Sequence, residues 1–406
     1  MTQWLSVIGI GEDGVEGLSG VARAALAQAE VIFGGERHLS LAASMLKGRA
    51  EPWGTPFSAG VARVLEARGQ RVVVLASGDP FFYGVGSVLA RQVPYGEMAC
   101  FPAVSSVSLA CSLLGWAVQE ARVVSLCGRP LTTIRPHLQP GAKLLVLSAD
   151  GTTPQRLAKW LAGHGFGLSP MSVLERLGSE AECVHEGFAA SEWGDVEALN
   201  LIALEVVADA GAQIMSLSSG LEDALFEHDG QMTKREIRAV TLSTLAPRAG
   251  ETLLDVGAGS GSIAIEWLLR HPANKAIAVE RSAERAERII RNAQALGVPR
   301  LEVVVGEMPE SALALSVRPD VVFVGGGLAA EGMFPAVRAL VRPGGRIVAN
   351  SVTLEGEQVL GAEYAQHGGM LTRIGVERLD TVGSLHAFRP AMRVTQYVVT
   401  VPDGVP

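Results

Sequence analysis

The chain reads as an α/β protein built from two consecutive domains, and three observations predict it. Short β-branched runs alternate with helix-length stretches along most of its 406 residues. Such continuous apolar runs suit strands buried on both faces of a parallel or mixed sheet. The alternation pauses over residues 209–230, where Ala-Gly-Ala-Gln, Ser-Leu-Ser-Ser-Gly and Glu-His-Asp-Gly read as connector. The length itself fits two or three domains of ~150 residues each.

The elements follow in order. Strands are predicted at 7–10, 31–33, 72–76, 123–126, 144–147 and 201–207, with Ala/Leu/Arg-rich helical patterns such as 21–29 and 61–67 between them. A second series begins after the pause, with strands at 253–256, 276–279, 303–305, 321–324, 346–349, 371–377 and 396–401. The expected layout is a first domain over 1–207, a linker over 208–230 and a second domain over 231–406. The two halves share an architecture class but no motif, and no short-period repeat is visible.

Composition narrows the function classes. Apolar residues make up 48% and charged residues 19%, enough for ordinary cores and against long disorder. The net charge of −8 divides evenly: residues 1–207 carry 15 basic and 19 acidic side chains, and the remainder 19 and 23. Neither half is a basic body, which argues against a nucleic-acid partner. The cysteines are Cys100, Cys111, Cys127 and Cys183, with no CxxC pair and no cluster of histidines. Reduced cysteines packed as small apolar residues are expected, with no metal centre. That fits a cytoplasmic protein. The N-terminus opens straight into a strand with no basic leader, and no apolar run reaches the ~18 residues of a membrane span.

The strongest motif is Leu254-Asp255-Val256-Gly257-Ala258-Gly259-Ser260-Gly261-Ser262-Ile263. It leaves a predicted strand and enters a predicted helix at 263–269. Glycines there let the backbone turn tightly and approach a bound group. Glu280 ends the next strand, where an acid can accept from both hydroxyls of a ribose. A dinucleotide and S-adenosylmethionine both suit this frame. The dinucleotide fingerprint wants G-x-G-x-x-G, whereas the spacing here is G-x-G-x-G. Asp255, placed ahead of it, would repel a pyrophosphate and suits a cation, which favours the methyl donor. Glu307 and Met308 follow the next strand, where an adenine would lie. Gly325-Gly326-Gly327 follows the fourth, where substrate should enter. Thr233 and Glu236 have capping-box spacing, so Thr233 is either a helix cap or a cofactor contact.

The first half carries weaker signals. They are Val7-Ile8-Gly9-Ile10-Gly11, the turn Ser77-Gly78-Asp79-Pro80-Phe81-Phe82-Tyr83-Gly84, and Pro102-Ala103-Val104-Ser105-Ser106 before a helix at 107–114. Phe81 and Phe82 are either part of a site or packed in the core. The Ser105 and Ser106 hydroxyls are candidate caps.

These segments, together with Phe33-Gly34-Gly35-Glu36-Arg37-His38-Leu39 and Val123-Val124-Ser125-Leu126-Cys127-Gly128-Arg129, resemble the tetrapyrrole methylases of cobalamin biosynthesis. Phe226-Glu227-His228-Asp229-Gly230-Gln231-Met232-Thr233-Lys234-Arg235-Glu236, followed by 255–266, resembles their decarboxylating partner domain. The whole chain is similar to the family that fuses the two. The resemblance implies a two-lobed tetrapyrrole methylase fold at the N-terminus and a Rossmann-like class I methyltransferase domain at the C-terminus. It implies two S-adenosylmethionine sites, one per domain: Gly9, Gly78, Asp79, Gly84, Ser105 and Ser106 in the first, and Thr233, Gly257 to Gly261, Glu280 and Met308 in the second. Ala103 departs from the glycine usual before the Ser-Ser pair. The implied reaction takes precorrin-6B to precorrin-8. It methylates carbon 5 in the first domain and carbon 15 in the second, with loss of the ring C acetate carboxylate.

Such a substrate is a polycarboxylate. Arg378, Arg389 and Arg393 flank Gly383-Ser384-Leu385-His386 and are candidate carboxylate clamps; a solvated surface loop is the other reading. His386 is either a proton donor or structural, and His38 likewise. The expected partner is the precorrin alone, with no nucleic acid and no membrane, in a homo-oligomer of the symmetric kind common among enzymes. A nicotinamide dehydrogenase, a non-catalytic tetrapyrrole carrier and a methylase of RNA or protein remain the alternatives.

Overall fold

A computed structural model describes residues 3–311, 315 and 317–402. It divides into two compact units, one of residues 1–129 and 139–213, the other of residues 130–138 and 214–406.

The first unit holds two five-stranded sheets. In the first sheet are β1 (Leu5–Ile10), β2 (Val31–Gly34), β3 (Arg49–Pro52), β4 (Val72–Ser77) and β5 (Met98–Phe101), in the order β3-β2-β4-β1-β5. Every pairing in it is parallel. The central strands are buried runs such as Val72 to Ala76, as sheets covered by helices on both faces require. Because Ile10 pairs with Ser77, the loops that follow β1 and β4 leave the sheet side by side. The second sheet contains β6 (Ala121–Ser125), β7 (Lys143–Leu147), β8 (Pro170–Glu175), β9 (Cys183–Phe188) and β10 (Asn200–Glu205), in the order β6-β7-β10-β8-β9. Only β6 and β7 run parallel. Strands β3, β5, β8 and β9 were not expected. β3 and β9 are mostly exposed edge strands with no apolar run to announce them.

The second unit is a seven-stranded sheet of β11 (Thr252–Val256), β12 (Lys275–Glu280), β13 (Glu302–Val305), β14 (Val321–Val324), β15 (Arg346–Ser351), β16 (Met370–Ile374) and β19 (Val394–Thr400). Its order is β13-β12-β11-β14-β15-β19-β16. The first five strands are parallel, and β19 inserts antiparallel between β15 and β16. The order reverses between β11 and β14, which opens a crevice at their C-terminal ends. The strand expected at 371–377 is two: β16 stops at Ile374, and β17 (Glu377–Val382) pairs instead with β18 (Leu385–Pro390). This hairpin is exposed along its whole length, so no buried face marked its strands.

The expected linker at 208–230 is corrected over most of its span. From residue 214 the chain belongs to the second unit, and Met215, Leu221 and Phe226 are buried in its core with Leu242 and Trp267. The segment forms no regular sheet or helix pairing beyond one short turn. The wholly buried carboxylate of Glu266 accepts from the Gly220 and Leu221 amides at 2.7 and 2.9 Å. It also accepts from Arg238 Nε at 2.6 Å. A strap with its backbone donors spent on a side chain satisfies its polar groups without periodicity, and so leaves no periodic trace in the sequence. Among the described residues, no helix is long and apolar enough to cross a membrane.

Candidate functional site

The glycine loop of the second unit joins β11 to the helix Ser262–Arg270. Gly257, at φ +70°, lies against the triple-glycine loop after β14: a Cβ built on it would fall 2.8 Å from Gly326 Cα. Two backbones can close on each other at the switch point only because neither residue has a side chain. Most of the loop's donors are already used. The Gly257 and Ala258 amides donate to Val279 O at 3.0 and 3.2 Å, and Gly261 donates to Ala258 O at 2.8 Å. Gly259 donates to Glu280 Oε2 at 2.9 Å.

Asp255 differs from the expectation of an open cation acceptor. It is 1% exposed, and Oδ2 accepts from the Ala264 amide at 3.2 Å. Burial pushes its pKa up to about 7; the Ala264 hydrogen bond opposes this and the nearby Glu280 charge adds to it. A pyrophosphate is disfavoured here by donor supply rather than by charge repulsion. A phosphate cradle needs free amides at the loop and helix start, and here those of 257, 258, 259, 261 and 264 bond within the protein.

Glu280, 4% exposed, accepts one amide on each oxygen, Gly259 on Oε2 and Ser282 on Oε1 at 3.1 Å. A carboxylate has ~four acceptor positions, so capacity remains for a pair of hydroxyls. Ser260 Oγ is buried without a partner among the described residues. These donors and acceptors fit S-adenosylmethionine, an uncharged ribose attached to a cationic centre. Met308 is 3% exposed and packed with Val256 and Val279 in the core. Glu307 points outward and pairs with Arg281 at 3.6 Å.

The strap passes beside this loop. Gln231 O stands 3.4 Å from where a Cβ on Gly259 would be, and Gln231 Oε1 accepts from Arg285 at 2.8 Å. Asp229 pairs with Arg285 at 2.8 Å and Arg288 at 3.2 Å. The Gln231 amide, followed by these arginines, holds the Asp229 pKa down at about 2. The capping box is not formed. The helix begins at Arg235 with Lys234 as its N-cap and no side-chain cap, while Glu236 is drawn away into an ion pair with Arg378. Thr233, released from capping, contributes its carbonyl to Arg238.

Arg378, Arg389 and His386 sit on the hairpin, and Arg393 just precedes β19. Arg378 and Arg389 face each other in register, and His386 stands opposite Thr381. Arg378 is held by Glu236 and Arg389 by Asp380 at 3.2 Å. His386 and Arg393 are exposed.

In the first unit, three loops interlock at the ends of β1, β4 and β5. A Cβ on Gly9 would meet Gly78 O at 1.8 Å and the Ala103 amide at 2.7 Å. The Ala103 amide donates to Gly78 O, and the Gly78 amide to Ile10 O, both at 3.1 Å. Gly84 packs on the Pro80 backbone, and Asp79 Oδ1 accepts from the Phe81 amide at 2.8 Å. Ser105 caps the helix Ser106–Leu114 by accepting from the Ser108 amide, while Ser106 is that helix's exposed first residue. Phe81, Phe82 and Tyr83 are exposed rather than core, and Arg129 lies 5.6 Å from the Tyr83 ring.

A polar cluster at this edge was only partly anticipated. Arg37 pairs with Glu12 and donates to Ser77 Oγ at 2.8 Å. His38 Nε2 lies 2.8 Å from Ser77 Oγ and 3.0 Å from Arg37, and its Nδ1 is buried without a partner among the described residues. Burial, then the Arg37 charge, lowers the His38 pKa to about 4, so the ring is neutral at pH 7. Arg37, His38 and Ser77 stood in separate motifs of the sequence, but their meeting, and the part of Glu12, were not visible there.

The cysteines also differ from expectation. Cys111 is buried, Cys100 partly so, and Cys127 and Cys183 are exposed, with His185 two residues from Cys183.

Loops gathered at the strand ends of both units, one set rich in glycine and fit for a methyl donor, suit a two-domain α/β methyltransferase. Residues 5–191 match the tetrapyrrole (corrin/porphyrin) methylases, and residues 224–401 match the precorrin methyltransferase domain. A precorrin-6Y C(5,15)-methyltransferase [decarboxylating] of Sinorhizobium sp is 52% identical over 98% of this chain and 96% of its own. The protein of that name from Mycobacterium tuberculosis is 40% identical, over 97% of this chain and 99% of its own. The crystal structure of the C-terminal domain of precorrin-6Y C5,15-methyltransferase from Rhodobacter capsulatus is 39% identical, covering 46% of this chain and all of that one, with a TM-score of 0.44. The chain belongs to the decarboxylating precorrin-6Y C(5,15)-methyltransferases.

Proposed function

We propose that each unit binds one S-adenosylmethionine, that the first methylates carbon 5 of a precorrin, and that the second methylates carbon 15 and releases the ring C acetate carboxylate as carbon dioxide. The overall conversion is precorrin-6B to precorrin-8. The observation that carries this reading is the loop of the second unit, where Glu280 keeps capacity for a diol while the amides of Gly257, Ala258, Gly259 and Gly261 are spent within the protein. The interlocked Gly9, Gly78 and Ala103 backbones supply the corresponding floor in the first.

The bound donor supplies an already activated methyl group. The chain's own task is then to align and to exclude water. Holding two reactants in line contributes roughly 7–11 kcal/mol in the best cases. Gly257 and Gly326 narrow the crevice floor to backbone, and Glu280 fixes the rotation of whatever diol it accepts. No nucleophilic serine or cysteine is needed. Once a neighbouring carbon is protonated or alkylated, the conjugated macrocycle can accept the electron pair left by decarboxylation.

Arg378, Arg389 and Arg393 are the proposed partners of the substrate carboxylates, and His386 the proposed proton donor. Arg378 and Arg389 each hold a carboxylate of the chain itself, so substrate would exchange with Glu236 and Asp380 rather than meet bare cations. Gly84, Asp79, Ser105 and Ser106 complete the proposed first site; Thr233, Ala258, Ser260, Glu307 and Met308 complete the second. The protein is proposed to act as a homo-oligomer in the cytoplasm.

Titration of the full chain with S-adenosylhomocysteine tests the two sites. Two bound per chain are expected, with Glu280→Ala weakening one at least about 10-fold and leaving the other. A single site indifferent to Glu280→Ala would remove the proposal. Incubation with precorrin-6B and labelled donor, followed by mass measurement, tests the chemistry: gain of two methyl groups and loss of one carbon dioxide is expected.

A further inference from the structure

In the second sheet of the first unit, β8 and β9 bring together three chemically different ligands. Cys183 and His185 are two apart on β9, so their side chains project from the same face. Glu175 ends β8 directly opposite Cys183, and opposite residues of an antiparallel pair share a face. The resulting triangle is tight. Cys183 Sγ lies 3.6 Å from His185 Nε2, and His185 Nε2 lies 3.4 Å from Glu175 Oε1. All three ligand atoms fall within 4.8 Å of one another. It is the one such cluster found among the described residues.

Those distances have a specific meaning. A tetrahedral zinc ion with its usual bond lengths separates a thiolate sulfur from an imidazole nitrogen by ~3.6 Å, and an imidazole nitrogen from a carboxylate oxygen by ~3.4 Å. The observed edges match both. Glu175 is held in place: it is 8% exposed, and Oε1 accepts the Glu197 amide at 2.9 Å. A fixed carboxylate beside two more accessible ligands offers one anchored corner and two that can close. Next to it, His185, Glu186, Glu192, Trp193 and Asp195 line a cavity of about 260 Å³, room for a fourth ligand from solvent.

We propose that Glu175, Cys183 and His185 form a binding site for a borderline divalent transition metal, zinc or cobalt(II), with a fourth position open. Thiolate and imidazole select such ions over magnesium or calcium, which prefer oxygen alone. On binding, the Cys183 thiol gives its proton to solvent and its sulfur bonds the ion, with no change of oxidation state. The ion ties edge strand β9 to β8 and stabilises the unit by mass action. The site stands apart from the methyl-transfer reading and does not depend on it.

The test uses the full chain, without any affinity tag and stripped with a chelator. Zinc is titrated against a chromophoric competitor, and cobalt(II) by its thiolate charge-transfer absorption. One zinc per chain is expected. Cys183→Ser and His185→Gln should each weaken it at least about 100-fold, beyond the loss typical of outer-shell changes. Cys127→Ser, altering the other exposed cysteine, should leave binding and the cobalt band intact. Retained circular dichroism keeps the comparison valid, and Glu175→Gln provides a further variant if one misfolds. No zinc retained by the parent chain, or equal binding by Cys183→Ser, overturns the site.

Discussion

Arg238 donates to Glu266 at 2.6 Å with both side chains wholly shielded from solvent. Around this pair gather the Gly220 and Leu221 amides, the Leu221 and Thr233 carbonyls, Asp223 and the Phe226 ring. It is the point at which an irregular strap is fastened to the helices beneath it. Removing one partner of a buried pair strands the other charge, at a cost of about 3–5 kcal/mol. Glu266→Gln should therefore lower the second unit's unfolding free energy, read from its urea transition, by up to that order, with Asp223 still offsetting part of the Arg238 charge. Glu266→Asp should fall between it and the parent, and a shift under about 1 kcal/mol would show that the pair is dispensable.

The Gly257 contact makes a sharper demand. Alanine there carries a left-handed penalty of roughly 1–2 kcal/mol, and its Cβ would enter the Gly326 backbone. Gly257→Ala should cost at least that much stability and abolish one of two S-adenosylhomocysteine sites. Calorimetric stoichiometry falling from two to one, with circular dichroism preserved, is the expected reading.

Asp255 sets a pH dependence of definite sign. Its folded pKa of about 7 lies above the ordinary value of 3.8. Between these values the native state holds a proton that the unfolded chain has released, so ligand-free stability declines as pH rises through that window. Asp255→Asn should flatten the slope. Where a cationic donor favours the carboxylate, its affinity should also rise between about pH 6 and pH 8 in the parent and not in the variant.

His38 slopes the other way. Its folded pKa of about 4 lies below the ordinary 6.5, so the unfolded chain takes up the proton first as pH falls. The stability it contributes is complete above about 6.5 and is lost towards 4. His38→Gln should remove that part of the acid destabilisation, read as a smaller gap between melting temperatures at pH 7 and pH 5.

How far the sequence foretold these relationships depended on periodicity. Buried strands such as β11, β12 and β14 announce themselves because both faces are apolar. The Gly257 loop was legible because strand, glycines, helix and Glu280 occur in order. Strands β9, β17 and β18 were not, since exposed strands need no apolar pattern. The 214–230 strap was misread for a related reason: its polar groups are met by side chains distant in sequence, Glu266, Asn292, Arg270 and Arg238 among them, and a partner 46 residues away leaves no local mark. Thr233 and Glu236 had capping spacing, yet Arg378 competes for the acid from far along the chain. Cys183 and His185 stand only two apart in sequence, yet no metal centre was expected of them, because Glu175 joins them only through strand pairing.

The fastening of the strap also decides where this polypeptide can be divided. The matched precorrin methyltransferase segment starts at residue 224, after Gly220, Leu221 and Asp223. A fragment cut at that border would keep Arg238 and Glu266 in its interior while discarding several groups that neutralise or solvate them. Starting instead at residue 214, where the longer segment of the second unit begins, retains the full set around Arg238 and Glu266.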